Sequence, residues 1–469
     1  MGVEDRTGHV VDFDRHSTRY RTEFAEIAGD LHARCPVAWT EHHGGYWLAT
    51  GNREVFDLAR RADVLSNDWD PDRGLLGISV PGPPRKADGS RGGFLEMDPP
   101  AQRHYRQALN PYLSPAAVAR WRPVIEEVTR ACLDEKAEGG RIDFVDDLAN
   151  VVPAVVTMGL LGLPLRDWEI HCEPAHAAVF TPPGSPDFPR VFEMMMASRN
   201  RTAENITRLR AEPRPGLIDA LINADVVGRK PDDVEVLNAV QLLVGGGFDT
   251  TTALTAHALE WLSQHPDERA GLSRERETLL DPATEEFLRF YTPAVGDGRT
   301  ITADCEIAGT RFRDRDRLWL SWAMANRDPA VFDDPHTVCL DRSGNRHASF
   351  GLGIHRCIGS NVARSTFKIM IIQVLDRMPD FGCDPEGAVH YDTTGVINGM
   401  KQLPATFTAG RRIGAGLDET IERMQRIVDE QRLAEPVAAH SSLRSSRARP
   451  NGAVLNADLA SSVTGGRTA

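Results

Sequence analysis

The sequence predicts a mainly α-helical fold with a smaller β-rich region. Apolar residues recur at helical spacing near residues 52–63, 101–113, 116–136, 234–264, 277–290, 357–377 and 417–433. β-like runs are fewer and shorter: VAWTEHHGGYWLAT (37–50), TITADCEIAGTRF (300–312) and RLWLSW (317–322). Two Gly/Pro-rich stretches, 74–98 and 180–190, read as loops long enough to be lids or binding loops.

In chain order, the amino terminus MGVEDRTGHVVDFDRH is charged and lacks the apolar core of a secretion signal. Arg6 occupies the place where a myristoylation pattern needs Ser or Thr. The 469 residues could hold two or three domains or one large fold. Residues 1–410 read as one domain. From 411 the character changes: GLDETIERMQRIVDEQ has a helical pattern, and the remainder to 469 reads as a disordered extension.

Totals exclude several functions. With 54 basic and 67 acidic residues the net charge is −13, which argues against general nucleic-acid binding. No apolar run reaches the length of a membrane span, so no membrane anchor is expected. Seven scattered cysteines without a CxxC pair point to a reducing, cytoplasmic setting in which most thiols are small apolar fillers.

Two segments break their own pattern. VEVLNAVQLL and ALTAHALEWL have the apolar spacing of one buried helix, yet VGGGFDTTT (244–252) lies between them. Three glycines cost roughly 1 kcal/mol each relative to alanine in a helix interior, and the threonines add β-branched crowding. The second is FGLGIHRCIG (350–359), followed by a helical face of Ile358, Val362, Ala363, Phe367, Met370, Ile371, Val374 and Leu375. Cys357 therefore sits where a loop enters a helix, and free backbone N–H groups there favour a thiolate. Gly351, Gly353 and Gly359 let the backbone approach a flat ligand. Such a cysteine could be an axial haem ligand, a catalytic nucleophile or a buried structural residue.

The constellation Phe350, Gly351, Gly353, His355, Cys357 and Gly359 resembles the haem-binding signature of the cytochrome P450 family, the haem-thiolate monooxygenases, in its soluble bacterial form. Gly246, Gly247, Phe248, Asp249, Thr250 and Thr251 resemble that family's central-helix motif. Glu286 and Arg289 in EEFLRF resemble its Glu–Arg pair, and DPPAQRHYR (98–106) resembles a stretch that approaches the haem. The resemblance covers about residues 10–410.

It implies a fold with haem b between two long helices and Cys357 as the axial ligand of its iron. Phe350, Gly351 and Gly246 would lie against the cofactor, with Arg106, Arg299 and His355 on its propionates. Gln102 stands where the family usually has histidine and could supply one neutral hydrogen bond. Asp249 and Thr250 would relay protons to dioxygen, while Glu286, Arg289 and Arg342 would form a structural triad. The implied reaction inserts one oxygen atom from O2 into a hydrophobic small molecule: a terpenoid, steroid, fatty acid or aromatic natural product. Pocket candidates are Gly246, Phe248, Pro293, Ala294 and Val295, with the loops 74–96 and 178–192.

The chain carries no flavin or ferredoxin-like segment, so electrons would come from an external ferredoxin and its reductase. Arg103, Arg106, Arg356, Arg364 and Lys368 would give the docking face positive charge. A peroxide-driven enzyme and a non-catalytic haem or ligand-binding protein are the alternatives; the Asp249–Thr250 pair argues against the first.

Overall fold

The computed structural model describes residues 9–82, 92–181 and 184–437. Its centre is the segment VVPAVVTMGLL, the helix Val151–Leu161, in which every residue is buried. A helix apolar on all sides can only lie inside a protein. Around it pack Arg122–Ala137, Asp233–Gly247, Trp168–Phe180 and Ser360–Arg377. Their inward faces (Val128, Val240, Val244, Phe367, Met370 and Val374) join it in one continuous apolar cluster. Burying side chains of this size contributes roughly 1.5–3 kcal/mol each.

The β-rich region is a six-stranded sheet ordered His9–Val10, Val37–Thr40, Tyr46–Ala49, Arg317–Ser321, Gly296–Ile301 and Leu65–Ser66. The expected run 37–50 is a hairpin pairing Trp39 with Trp47. The expected run 300–312 is three strands, Gly296–Ile301, Cys305–Ile307 and Thr310–Phe312. In the sheet Arg299 stands opposite Leu318, and the next two residues, Thr300 and Ile301, pair with Ser66 and Leu65 on the other side. A separate hairpin of Val389–His390 and Met400–Gln402 reaches the helix Asp249–Gln264.

Several boundaries differ from expectation. The pattern at 116–136 divides into Pro115–Ala119 and Arg122–Ala137. The helix after Cys357 starts at Ser360, leaving Ile358 half-buried at the edge of the core. The stretch from 411 to Val437 is not an appendage: it belongs to the same compact unit as the preceding chain. Its helix Leu417–Glu430 buries Ile421, Met424 and Val428 against Arg122–Ala137, so amphipathicity there meant packing rather than solvation. The tail beyond 437 and residues 83–91 of the loop 74–96 lie outside the described residues.

Candidate functional site

The glycine-rich centre is a helix break. Asp233–Gly247 opens with a capping box between Asp232 and Glu235, and Asp249–Gln264 continues its path. Between them Phe248 has φ −94° and ψ −81°, outside helical geometry. Thr250 Oγ1 donates to the Gly246 carbonyl at 3.0 Å, and Thr252 Oγ1 donates to Ala149 O at 2.7 Å. The Thr250 hydroxyl binds a carbonyl at the break, while the Thr252 hydroxyl ties the second helix to the neighbouring turn Val145–Ala149. The glycines divide their work. A Cβ on Gly247 would lie 2.7 Å from Thr157 Oγ1, so only glycine allows this approach to the central apolar helix. Gly245 and Gly246 are exposed, and a Cβ on either meets nothing within 4 Å. The middle of a core helix thus faces open space.

Asp249 points the other way, into protein, and is 2% exposed. Its Oδ1 accepts from Tyr391 Oη at 2.8 Å and lies 2.6 Å from His176 Nδ1; Oδ2 has no protein partner. Burial, reinforced by the Asp249 charge, pushes the Tyr391 hydroxyl far above its ordinary range, so it remains a donor. His176 and Tyr391 went unnoticed in the sequence. They lie 73 and 142 residues from Asp249 with no local motif, and only the fold brings them there.

The loop 350–359 needs glycine at two points, Gly351 at φ 63° and Gly353 at φ 68°. Gly359, expected to share this role, has an ordinary φ of −86°. The loop is tied down by Cys357 N–H donating to Phe350 O at 2.7 Å, Gln102 Nε2 to Ile354 O at 2.8 Å and Arg106 to Arg356 O at 2.7 Å. Gln102 is therefore buried and committed to the loop backbone rather than waiting for a ligand. Cys357 is accessible although protein surrounds it densely, as befits a thiol on the wall of a cleft.

Burial pushes the Cys357 thiol above its ordinary value; the Gly359 N–H and the guanidinium groups of Arg106, Arg356 and Arg364 oppose this without overcoming it. The expected free thiolate is thus not set up by the protein alone, because desolvating a charge outweighs a few favourable dipoles. Near it Arg299 is 3% exposed and spends one N–H on the Gly298 carbonyl. Burial first, then Arg299 and Arg106, push His355 down to about 3, which places the three side chains in one electrostatic neighbourhood. Among the described residues no carboxylate forms an ion pair with Arg106 or Arg299, although Asp297 and Asp98 act on Arg299 from a distance. Two guanidinium groups without a direct carboxylate partner suit an anionic ligand.

Elsewhere the expectations divide. Glu286, Arg289 and Arg342 come together: Arg289 donates to both Glu286 oxygens at 2.8 and 2.7 Å, and Arg342 Nε donates at 3.0 Å. Of the pocket candidates, Gly246 and Ala294 keep access to open space. Phe248 and Val295 are 1% and 3% exposed in separate apolar clusters, and Pro293 is buried, so these three support the wall from behind. Three residues missed by the sequence reading, Ala253, Tyr391 and Ile397, form a small apolar group with the expected Ala294 and with Val179 and Phe180 of the expected 178–192 segment. The expected positive face is weaker than the residue count suggests. Arg364 makes two 2.6 Å bonds to Glu285, and Lys368 lies 2.8 Å from Asp281, leaving Arg103 and Arg356 as its exposed cations.

The family model for cytochrome P450 matches residues 185–386. Cytochrome P450 105A3 of Streptomyces carbophilus is 30% identical over 67% of this chain and 76% of its own length. The chain belongs to the cytochrome P450 family. A steroid C26-monooxygenase of Mycolicibacterium smegmatis is 29% identical over 84% of the chain and 93% of its own length. The structure of Mycobacterium marinum CYP268A2 in complex with pseudoionone superposes with TM-score 0.76 at 25% identity, covering 84% of this chain and 98% of that one. The protein is therefore a P450 monooxygenase with a haem-iron cofactor, and the residues present fit that group. The open faces of Gly245 and Gly246 give a flat cofactor room, Cys357 offers a soft ligand, and Arg106, Arg299 and His355 offer donors to its carboxylates. Among the described residues no helix is long and apolar enough to cross a membrane.

Proposed function

We propose that this P450 binds haem b through Cys357 and oxidises a hydrophobic small molecule of the steroid or terpenoid type, with electrons from a ferredoxin and its reductase. The observation that carries the reading is the setting of the loop 350–359: an accessible Cys357 with Arg106 beside it, and Arg106 and Arg299 both acting on a buried His355. Bound haem supplies the electron-transfer and dioxygen chemistry, with a thiolate ligand favouring O–O cleavage.

The chain's own residues do the rest. Arg299 and Arg106 neutralise the propionates from inside the protein, and neutral His355 adds one hydrogen bond. Thr250, pinned to Gly246 O in the resting helix, can turn its hydroxyl into the open groove and hand on a proton. Asp249 is held through Oδ1 by Tyr391 and His176 on the protein side of the break, and its Oδ2 has no partner among the described residues. It supplies Thr250 only by turning its side chain toward the groove. The apolar group around Phe180, Ile397 and Ala294 desolvates the substrate, and the kinship to a steroid C26-monooxygenase favours a steroid-like skeleton.

The test is turnover of a steroid and terpenoid panel under isotopically labelled dioxygen, with ferredoxin, reductase and NADPH. Label in the product is expected; product formed only with added peroxide would replace this reading with the peroxide-driven one. The proton path has its own expected results. Thr250→Ala keeps NADPH consumption while diverting at least half of it to hydrogen peroxide, measured as the product-to-NADPH ratio. Tyr391→Phe removes one hydrogen bond to a carboxylate, worth about 1.5–3 kcal/mol. It lowers the same ratio and shifts its pH profile with the haem spectrum unchanged; an unmoved pH profile would leave Tyr391 a packing residue.

A further inference from the structure

Away from the haem cleft, three ligating side chains converge where Asp249–Gln264 meets the hairpin Val389–His390/Met400–Gln402. His257 and Glu260 are one turn apart on the same helix face. His390 comes from the hairpin strand. One ligand atom from each lies within 4.8 Å of the others. Glu260 Oε1 is 3.0 Å from His390 Nε2, and Glu260 Oε2 is 3.7 Å from His257 Nδ1. A tetrahedral zinc ion with bonds of about 2.0–2.1 Å separates its ligand atoms by roughly 3.3 Å, between those two spacings.

His257 fits poorly into a simple hydrogen-bond cluster. It is 3% exposed, and Glu260 Oε2 stands 3.7 Å from its Nδ1, too far for a good hydrogen bond. Among the described residues neither ring nitrogen makes a shorter one, although Glu260 and the Asn398 backbone both face the ring. Its ring is stacked on Tyr291 with centroids 4.6 Å apart and 5° between planes, so its direction is set by packing. Leaving a buried polar group unsatisfied is unfavourable. The His390–Glu260 bond satisfies two members of the set, whereas His257 has only its long 3.7 Å contact with Glu260; a shared cation would satisfy all three.

The charge states agree. Burial keeps the His257 imidazole below its ordinary value, and therefore neutral. Burial also pushes the Glu260 carboxyl up, but the two imidazoles outweigh it and hold it down at about 2. A neutral His257 beside an ionised Glu260 is the state a metal takes up. Glu260 and His390 are half-buried, which leaves an entry path.

We propose that His257, Glu260 and His390 bind a first-row divalent cation, zinc being the best match to two imidazoles and one carboxylate. The site is separate from the haem iron and is independent of the substrate proposed above. Its position gives it a mechanical role: the cation fastens the hairpin to the central helix one residue before Tyr391, the donor to Asp249.

The test uses tag-free, haem-loaded, full-length protein stripped with a chelator and titrated with zinc against a chromophoric competitor. One equivalent of zinc is expected to bind, with affinity lowered at least ~100-fold in Glu260→Gln and His390→Gln, since each loses a ligand while keeping hydrogen-bonding capacity. Wild-type binding no tighter than that of either variant would overturn the proposal. If the variants fail to load haem, zinc-edge anomalous diffraction from zinc-soaked wild-type crystals decides. A peak among the three side chains supports the site, and its absence overturns it.

Discussion

A Cys357→Ser variant is expected to fold and to lose the red-shifted Soret band that thiolate ligation gives the ferrous–carbon monoxide complex. Turnover should fall by on the order of 10³-fold or more, the loss expected when a group acting mainly in the transition state is removed. Folding should survive because the loop is held by backbone geometry. Cys357 N–H bonds to Phe350 O, Gln102 to Ile354 O and Arg106 to Arg356 O, none of which uses the sulfur. The electrostatics sharpen the expectation. The site pushes the thiol above its ordinary value, so a nucleophilic thiolate is not prepared in advance. Coordination to a haem iron would favour loss of the proton, as with other metal-bound thiols. Serine cannot reproduce this, since its hydroxyl is far less acidic and its oxygen a harder ligand. An unshifted wild-type band, or an identical band in the variant, would remove Cys357 from the iron.

How far the sequence disclosed the molecule depended on whether a feature is local. Cys357 with its glycines, the weakened helix centre and the Glu286–Arg289 pair are each encoded within ten residues, and all stand where the spacing puts them. Helices recognised by an apolar stripe, such as 101–113 and 277–290, match Ala101–Leu113 and Arg276–Tyr291 closely. Val151–Leu161 escaped because it is buried on every side and has no stripe to detect. Trp168–Phe180 and Phe188–Ala211 were hidden by prolines at 174 and 189 and by exposed apolar residues such as Phe192 and Met195.

The break at Phe248 was legible as weakness but not as two helices, because a φ/ψ departure at one residue depends on tertiary contacts of its neighbours. His176, Tyr391 and the His257–Glu260–His390 group could not have been found by spacing. Their members are separated by up to 215 residues and meet only through the fold. Two of the expected docking charges are offset for a related reason: Arg364 and Lys368 are positive in the sequence, but carboxylate partners 79 and 87 residues away stand against them in the fold.

The largest stability effect is expected at Glu286. The Glu286 and Arg289 side chains are both 0% exposed, and Arg342 is 11% exposed. Glu286 also accepts from Cys339 N–H at 2.9 Å and Asn345 Nδ2 at 3.0 Å, so one carboxylate gathers the segment before the haem loop. Glu286→Gln leaves two guanidinium groups facing a neutral amide inside the protein. Breaking a buried pair in this way costs about 3–5 kcal/mol, much more than an exposed pair would. Chemical denaturation followed by intrinsic fluorescence should show that loss near neutral pH.

The pH dependence gives a second expectation. Burial tends to raise the Glu286 carboxyl, but Arg289, the Cys339 N–H and Arg342 prevail and hold it below its ordinary 4.5. A carboxyl depressed in the folded state stabilises the fold above its unfolded value, and that contribution is lost as pH falls through the folded value. The wild type should therefore lose stability steeply below pH 4.5, helped by Glu285, which Arg364 and His347 bring down to about 2 against its burial. In Glu286→Gln the acid limb should be shallower. The gap between the two proteins should narrow as the wild-type carboxyl takes up its proton, because both then present a neutral group to the same arginines. A gap that stays constant from neutral pH to the foot of the acid transition would show that shape, not charge, is what Glu286 contributes.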